Sequence, residues 1–511
     1  MLELTNPTAV ADPFCTRDLE RNLNRRSARG AFTTLFAQGC GVLVRVASLA
    51  VLSRLLEPND FGLVAMALVI TGFASMFSDA GLSMATIQRK SLNHQQASTL
   101  FWIVIAISLV LSFSVALSAP VVAWMYDDER LIWLTIALGT TFLFSGLSLQ
   151  QMAILKRQMR LRVVGSINVG AQLTAFLCAW WAAANGWGYW ALVVQLIAME
   201  ASRAAYVWFA CPWRPGLPVR GSGVRSMLNF GGNLTASNFL SYLTTKVDSL
   251  LIGMMWGAAP LGFYSRAMNL LQLPRTLLLR PLNDVAIPAL SRLQDDVIAY
   301  RSYYRRALLL TLTCTMPIMA YAAISSKQLI LVVLGDQWID AVPIYRALSI
   351  AAFCQTLDGA TSWVNVSMGR TDRRLYWRLI SGPITTLAVA IGVQWGALGA
   401  AIGFSSAALV LRVPGIKFCL RGMPVHERDV YGSAWRPACS VLAAALLTIS
   451  LNKTVQLDPI PSLLLSFLVF VVSYLVGLVV VSGGWRRFAD LYRLQSLYSS
   501  FPRSRKLGVE A

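Results

Sequence analysis

Long apolar runs separated by short polar turns fill this chain, and the turns alternate in charge. Fourteen runs stand out, at 31–53, 61–86, 99–121, 131–153, 163–184, 187–209, 227–255, 260–287, 303–325, 341–367, 375–394, 397–418, 437–452 and 462–482. A bilayer-spanning helix needs about 20 mostly apolar residues, and nearly all of these runs supply them. The pattern predicts an all-α, polytopic membrane protein of about 14 transmembrane helices. Its expected organisation is an N-terminal tail at 1–29, a six-helix bundle at 30–210, a linker at 211–226 and a second six-helix bundle at 227–419. A linker at 420–436, a helix pair at 437–482 and a tail at 483–511 complete it.

Loop charge sets the orientation. If the N-terminus lies inside, 33 of the 44 Lys and Arg residues fall in the inner tails and loops, from Arg17–Arg29 through Lys156–Arg162 and Arg370–Arg378 to Arg486–Lys506. The outer loops hold only Arg54, Arg130, Lys327 and Lys453, beside acids such as Glu57, Asp60, Asp128, Asp336 and Asp340. The positive-inside rule then places both termini in the cytoplasm. The net charge of +20 and the pI of about 10.0 have the same origin. Alone they would suggest a nucleic-acid binder; concentrated in short cytoplasmic loops, they answer to topology and anionic headgroups. No nucleic-acid partner is expected. Residues 1–29 lack the apolar core of a signal peptide.

Catalytic chemistry finds little footing. His94 and His426 sit in loops without ligand-like spacing, and the eight cysteines are scattered with no C-x-x-C pair. There is no P-loop, G-x-S-x-G or H-E-x-x-H. No metal, cofactor or enzymatic activity is expected.

The run from Gly30 to Leu49 lies over Gly231 to Leu250, pairing Thr34 with Thr235, Arg45 with Lys246, Val46 with Val247 and Ser48 with Ser249. After a one-residue slip, Asp60-Phe61-Gly62 meets Pro260-Leu261-Gly262. An offset of six spans makes the two halves parallel repeats, an arrangement that builds alternating-access transporters. Two similar but inert bundles are the alternative.

Charge inside spans is costly, roughly 2.5–3.5 kcal/mol per central Arg on insertion scales. The interior basic set is Arg45, Lys246, Arg266, Arg275, Arg280, Arg346 and Arg412; the interior acids are Asp79, Asp248, Asp284 and Asp358, with Glu200 near an end. Helical spacing aligns Thr34, Gln38, Gly41, Arg45 and Ser48 in one stripe, and Asn238, Ser241, Thr245 and Ser249 in another. Arg45, Lys246 and Arg266 are the candidate substrate-binding cations, with Gln38, Asn238 and Thr245 beside them. Asp79, Asp248, Asp284 and Asp358 are candidates for ion coupling, against the alternative that each neutralises a neighbouring base. Arg280 and Asp284 form an i,i+4 pair. Arg412 and Arg346 are expected to snorkel. Pro274 and Pro281 are expected to kink their helix and Pro288 to follow its end. Trp124, Trp187, Trp190, Trp256, Trp338 and Trp395 are expected to form an outer aromatic belt.

The stretch Leu52-Ser53-Arg54-Leu55-Leu56-Glu57-Pro58-Asn59-Asp60-Phe61-Gly62 resembles the first hairpin of bacterial polysaccharide exporters, in the colanic-acid and xanthan-type branch of the oligosaccharide-lipid flippases. Lys246-Val247-Asp248-Ser249-Leu250-Leu251-Ile252-Gly253, Leu261 to Ala267, and Ile287 to Asp296 extend the resemblance. It implies a V-shaped, two-bundle fold of the multidrug/oligosaccharidyl-lipid/polysaccharide superfamily. It also implies alternating-access transport of a polyprenyl-diphosphate-linked oligosaccharide across the bacterial inner membrane, with a cationic lumen for the diphosphate. Polysaccharide polymerase and glycosyltransferases become possible partners beside membrane lipids. One departure is Met254-Met255, where relatives often carry a basic residue. Two other readings remain: a drug or cation exporter of the same superfamily, which the basic interior disfavours, and a scaffold of a polysaccharide assembly complex that translocates nothing.

Overall fold

A computed structural model of the chain describes residues 23–79, 81–89, 92–219, 246–455 and 458–485. Every regular element among them is a helix. Ten stretches among the described residues are long and apolar enough to cross a membrane, and the protein is a multi-pass membrane protein. The chain divides into two compact units, Met1–Gly262 and Phe263–Ala511. Residues 220–245 lie outside the described residues, and with them most of the expected 227–255 span and part of the 211–226 linker.

The first unit contains α1 (Leu23–Leu55), α2 (Pro58–Ser78), α3 (Leu82–Gln88), α4 (His94–Tyr126), α5 (Arg130–Arg157), α6 (Leu161–Ala184), α7 (Trp190–Ala210) and α8 (Val247–Trp256). Local chemistry sets several of the boundaries. α2 opens with Pro58 at its first position and a capping box in which Asp60 accepts the Glu57 N–H at 3.2 Å. α4 opens the same way on Asn93 and Gln96. The run expected at 61–86 is one crossing made of two helices. It breaks at Asp79, and Gly81 takes a φ of +67°, which a residue without Cβ adopts at little cost.

Small residues set how closely these helices pack, as expected where lipid supplies no hydrophobic drive between them. A Cβ on Gly146 of α5 would lie 2.3 Å from Ser108 Oγ of α4, and one on Gly165 of α6 would lie 2.9 Å from Ala37 of α1. Leu82, Leu100, Phe101, Ile154, Leu155 and Trp213 form the apolar core beside them.

α9 (Ala258–Arg292) runs from the first unit into the second. It continues unbroken through Pro274, Pro281 and Pro288, so Pro288 does not follow its end as the sequence suggested. Proline removes one backbone donor and crowds one carbonyl, and membrane helices tolerate this where neighbouring groups re-satisfy the backbone. At its start, a Cβ on Gly262 would fall 1.9 Å from the Pro58 carbonyl oxygen, while one on Gly62 would fall 1.7 Å from that of Ala258. The two glycines paired by the sequence repeat thus cross back to back.

The second unit continues with α10 (Val297–Ile324), α11 (Ser326–Val333), α12 (Ala341–Gln355), α13 (Asp358–Ser367), α14 (Thr371–Gly392), α15 (Gly396–Val410), α16 (Arg412–Leu420), α17 (Glu427–Thr454) and α18 (Pro459–Val481). The runs expected at 341–367 and 397–418 are each two helices. α10, α17 and α18 enclose a core that includes Tyr300, Tyr304, Phe470 and Tyr474. The Tyr300 hydroxyl pairs with Ser367 Oγ at 2.6 Å, and Tyr474 donates to the Thr313 carbonyl at 2.8 Å. α14 and α15 touch backbone to backbone: a Cβ on Gly392 would lie 2.3 Å from the Gly399 oxygen. Trp338 departs from the aromatic belt. It lies in a 3-10 turn after Gly335, fully buried and edge-on to Phe263 at 5.8 Å, whereas Trp124 and Trp395 are 83% and 70% exposed.

Candidate functional site

The stripe predicted on α1 is divided in use. Ser48 is buried and accepts a hydrogen bond from Gln195 of α7 at 2.6 Å, and Gly41 packs against Gln172 of α6. Gln38 and Arg45, on the other edge of the stripe, are exposed. Lys246 caps α8 and is exposed, while Asp248 in the first turn of α8 is buried. The Asp248 carboxylate accepts the Ser249 N–H at 2.6 Å, at a helix N-terminus that favours negative charge. Arg45 and Lys246 both belong to the first unit; Arg266, half-buried on α9, belongs to the second. Asn238 and Thr245 lie outside the described residues.

The other interior acids have distinct surroundings. Asp79 ends α2, and its Oδ1 accepts the Ser83 N–H at 2.9 Å, which caps α3 across the break. Asp284 on α9 is exposed, and the side chains of Arg280 and Asp358 lie outside the described residues. Arg346 donates to Ser326 Oγ at 2.7 Å. Arg157, counted as an inner-loop cation, is instead buried, and it donates to the Thr86 carbonyl at 3.0 Å and to that of Arg89. It thereby satisfies carbonyls left open at the end of α3.

The second unit holds a cavity of about 240 Å³ whose charged lining is basic. α14 contributes Arg374, Arg378, Ser381 and Thr385, and Gln355 and Arg412 stand at the ends of α12 and α16. No acidic side chain lines it among the described residues. The Gln355 amide oxygen accepts from Arg275 of α9 at 2.5 Å, and Arg374 donates to Ser362 Oγ at 2.5 Å. Three guanidiniums around one small space repel one another and favour an anion, above all an oxyanion able to take charge-assisted hydrogen bonds. Sequence reasoning passed over this group. Arg374 and Arg378 were assigned to a loop and Arg412 to snorkelling. The signal was nevertheless present, because Arg374, Arg378, Ser381 and Thr385 recur at i, i+4, i+7 and i+11, one face of a helix.

Comparison with known proteins adds the fold and the family. The lipid II flippase MurJ, in an inward closed conformation, superposes with a TM-score of 0.67 over 88% of this chain and 98% of its own, at 13% identity. An inward-facing multidrug resistance MATE family transporter of the MOP superfamily gives 0.59 over 75% and 94%, also at 13% identity. These likenesses show that the chain shares the fold of those two proteins. The chain is 25% identical to the lipopolysaccharide biosynthesis protein WzxC of Escherichia coli (strain K12), over 73% of this chain and 76% of that one. It is also 25% identical to the teichuronic acid biosynthesis protein TuaB of Bacillus subtilis (strain 168), over 70% and 74%. The succinoglycan biosynthesis transport protein ExoT of Rhizobium meliloti (strain 1021) is 23% identical over 70% and 72%. The model of the polysaccharide biosynthesis protein family matches residues 51–343, more than half of the chain, and the chain belongs to that family.

Proposed function

We propose that this protein carries a polyprenyl-diphosphate-linked oligosaccharide across the bacterial inner membrane by alternating access, for export of an exopolysaccharide or surface polysaccharide. The observation that carries the reading is the cavity of Arg374, Arg378 and Arg412, which no acidic side chain lines among the described residues. A diphosphate offsets that charge and can accept from several guanidiniums at once. Arg45, Lys246 and Arg266 are the other substrate-binding cations of this reading, with Gln38, Asn238 and Thr245 as partners for sugar hydroxyls and the polyprenyl tail left in lipid. Fourteen spans, two six-helix bundles with a C-terminal pair and cytoplasmic termini belong to the same reading, which the loop-charge asymmetry supports. Asp248 is the acid best placed for ion coupling, because it is buried on the helix that carries Lys246. An exporter of organic cations calls for acids where this cavity has arginines.

Glycan export in a deletion strain complemented with variants tests the reading. Arg45→Ala, Lys246→Ala and Arg378→Gln should each abolish or sharply reduce export while protein level and membrane insertion hold. Wild-type export from all three overturns it, and loss of folded protein assigns these residues a structural role instead.

A further inference from the structure

A second and larger basic cavity, about 870 Å³, lies in the second unit between the beginnings of α10 and α17 and the end of α18. Arg301, Arg305 and Arg306 of α10 and Arg436 of α17 line it. Asp429 anchors two of them without neutralising the group. Its buried carboxylate meets Arg301 Nε at 2.7 Å and Arg305 Nε at 3.7 Å and accepts the His426 N–H at 3.0 Å. Among the described residues four guanidiniums and no carboxylate line the cavity, and Asp429 meets only Arg301 and Arg305. Arg436 lies over the Trp435 ring at 5.4 Å, and its buried Nε has no hydrogen-bond partner. Beside the arginines the wall is mixed, with Ser302, Ser433 and Ser482 next to Val297, Ile298 and Leu309, and Ile298 is 84% exposed.

We infer that this cavity binds the headgroup of an anionic phospholipid from the adjoining leaflet, its phosphate among Arg305, Arg306 and Arg436. Three features favour a lipid over a free anion. The volume far exceeds one phosphate, and the arginines stand in the first three turns of α10 and α17, within reach of a headgroup layer. The outward faces of α17 and α18 also present apolar side chains to acyl chains, Leu446 at 70% and Val480 at 70% exposure. Basic pockets between transmembrane helices on the cytoplasmic side are suited to such headgroups. The inference is independent of the transported substrate, because none of these residues belongs to the transport site proposed above.

The test uses the full chain in detergent, titrated with dioleoyl phosphatidylglycerol while thermal unfolding and lipid adducts in native mass spectrometry are followed. Wild type should bind phosphatidylglycerol at least tenfold more tightly than phosphatidylcholine and unfold at a higher temperature with it. Arg306→Gln/Arg436→Gln, which spares the Arg301–Asp429 pair, should lose about tenfold or more of that preference. Arg436→Gln alone serves if the double variant does not fold. Unchanged preference in the variant overturns the inference. Inorganic phosphate reproducing the full thermal shift would make this a free-anion site, and undecaprenyl diphosphate outcompeting phosphatidylglycerol would make it a substrate-docking site; either result also overturns it. Export by the same variant reads the transport proposal separately.

Discussion

Asp79 shows how one side chain can be asked to do two jobs. Its carboxylate caps α3 by accepting the Ser83 N–H, and it is also a candidate for ion coupling. Asparagine caps a helix about as well as aspartate but cannot titrate. Asp79→Asn should therefore leave thermal stability nearly unchanged; if export falls while stability holds, the cycle uses the carboxylate's charge, and if both hold, it only caps. Arg157 serves the backbone at the end of α3. Arg157→Leu leaves the Thr86 and Arg89 carbonyls without their donor, and it should cost about 1–3 kcal/mol in unfolding assays in detergent. Asp128, in the turn between α4 and α5, is held below the usual carboxylate range by the hydrogen-bonding Arg130 side chain. A depressed folded pKa contributes stability above the unfolded value, near 3.9, that is lost as pH falls through the folded one. Half of the Arg130 side chain is exposed, so Asp128→Asn should cost only about 0.2–1 kcal/mol at pH 7. That gap should shrink as pH falls through the folded pKa, and a gap that does not change with pH would refute the assignment.

At the scale of elements, the paired glycines of α2 and α9 make the sharpest demand. Any Cβ at Gly62 or Gly262 collides with backbone, not with a side chain that can turn away. Gly62→Ala and Gly262→Ala should each lower stability or export markedly, whereas Gly39→Ala on α1, with nothing within 4 Å, should be neutral or stabilising by up to about 1 kcal/mol. Equal behaviour of the three variants would show that the crossing is not held closed. The pairing of these glycines was legible in the sequence as a repeat; their contact was not, because periodicity assigns faces and not partners. The breaks at Asp79–Gly81 and between α12 and α13 were also hidden, since an apolar run reads the same whether one helix crosses or two. Pro288 misled for a related reason: proline weakens a helix locally, and α9 continues past it.

For the whole molecule, apolar run length and loop charge made the membrane class and the helical architecture legible, because lipid permits few solutions for backbone polar groups. The site was legible only in part. Arg45 and Lys246 drew notice as charges deep in apolar runs, while Arg374, Arg378 and Arg412 were discounted for lying near run ends. Distance from a helix end does not reveal whether an arginine reaches solvent or turns into a cavity. The central claim, that these arginines hold a lipid diphosphate during its passage across the membrane, is tested most directly in reconstituted vesicles. A labelled polyprenyl-diphosphate oligosaccharide is placed in one leaflet and its arrival in the other is timed. Wild type should move it well above the rate of protein-free vesicles, and Arg378→Gln/Arg412→Gln should slow it about tenfold or more. Arrival no faster than in protein-free vesicles, from inserted and folded wild-type protein, or an undiminished rate from the double variant, would contradict the claim.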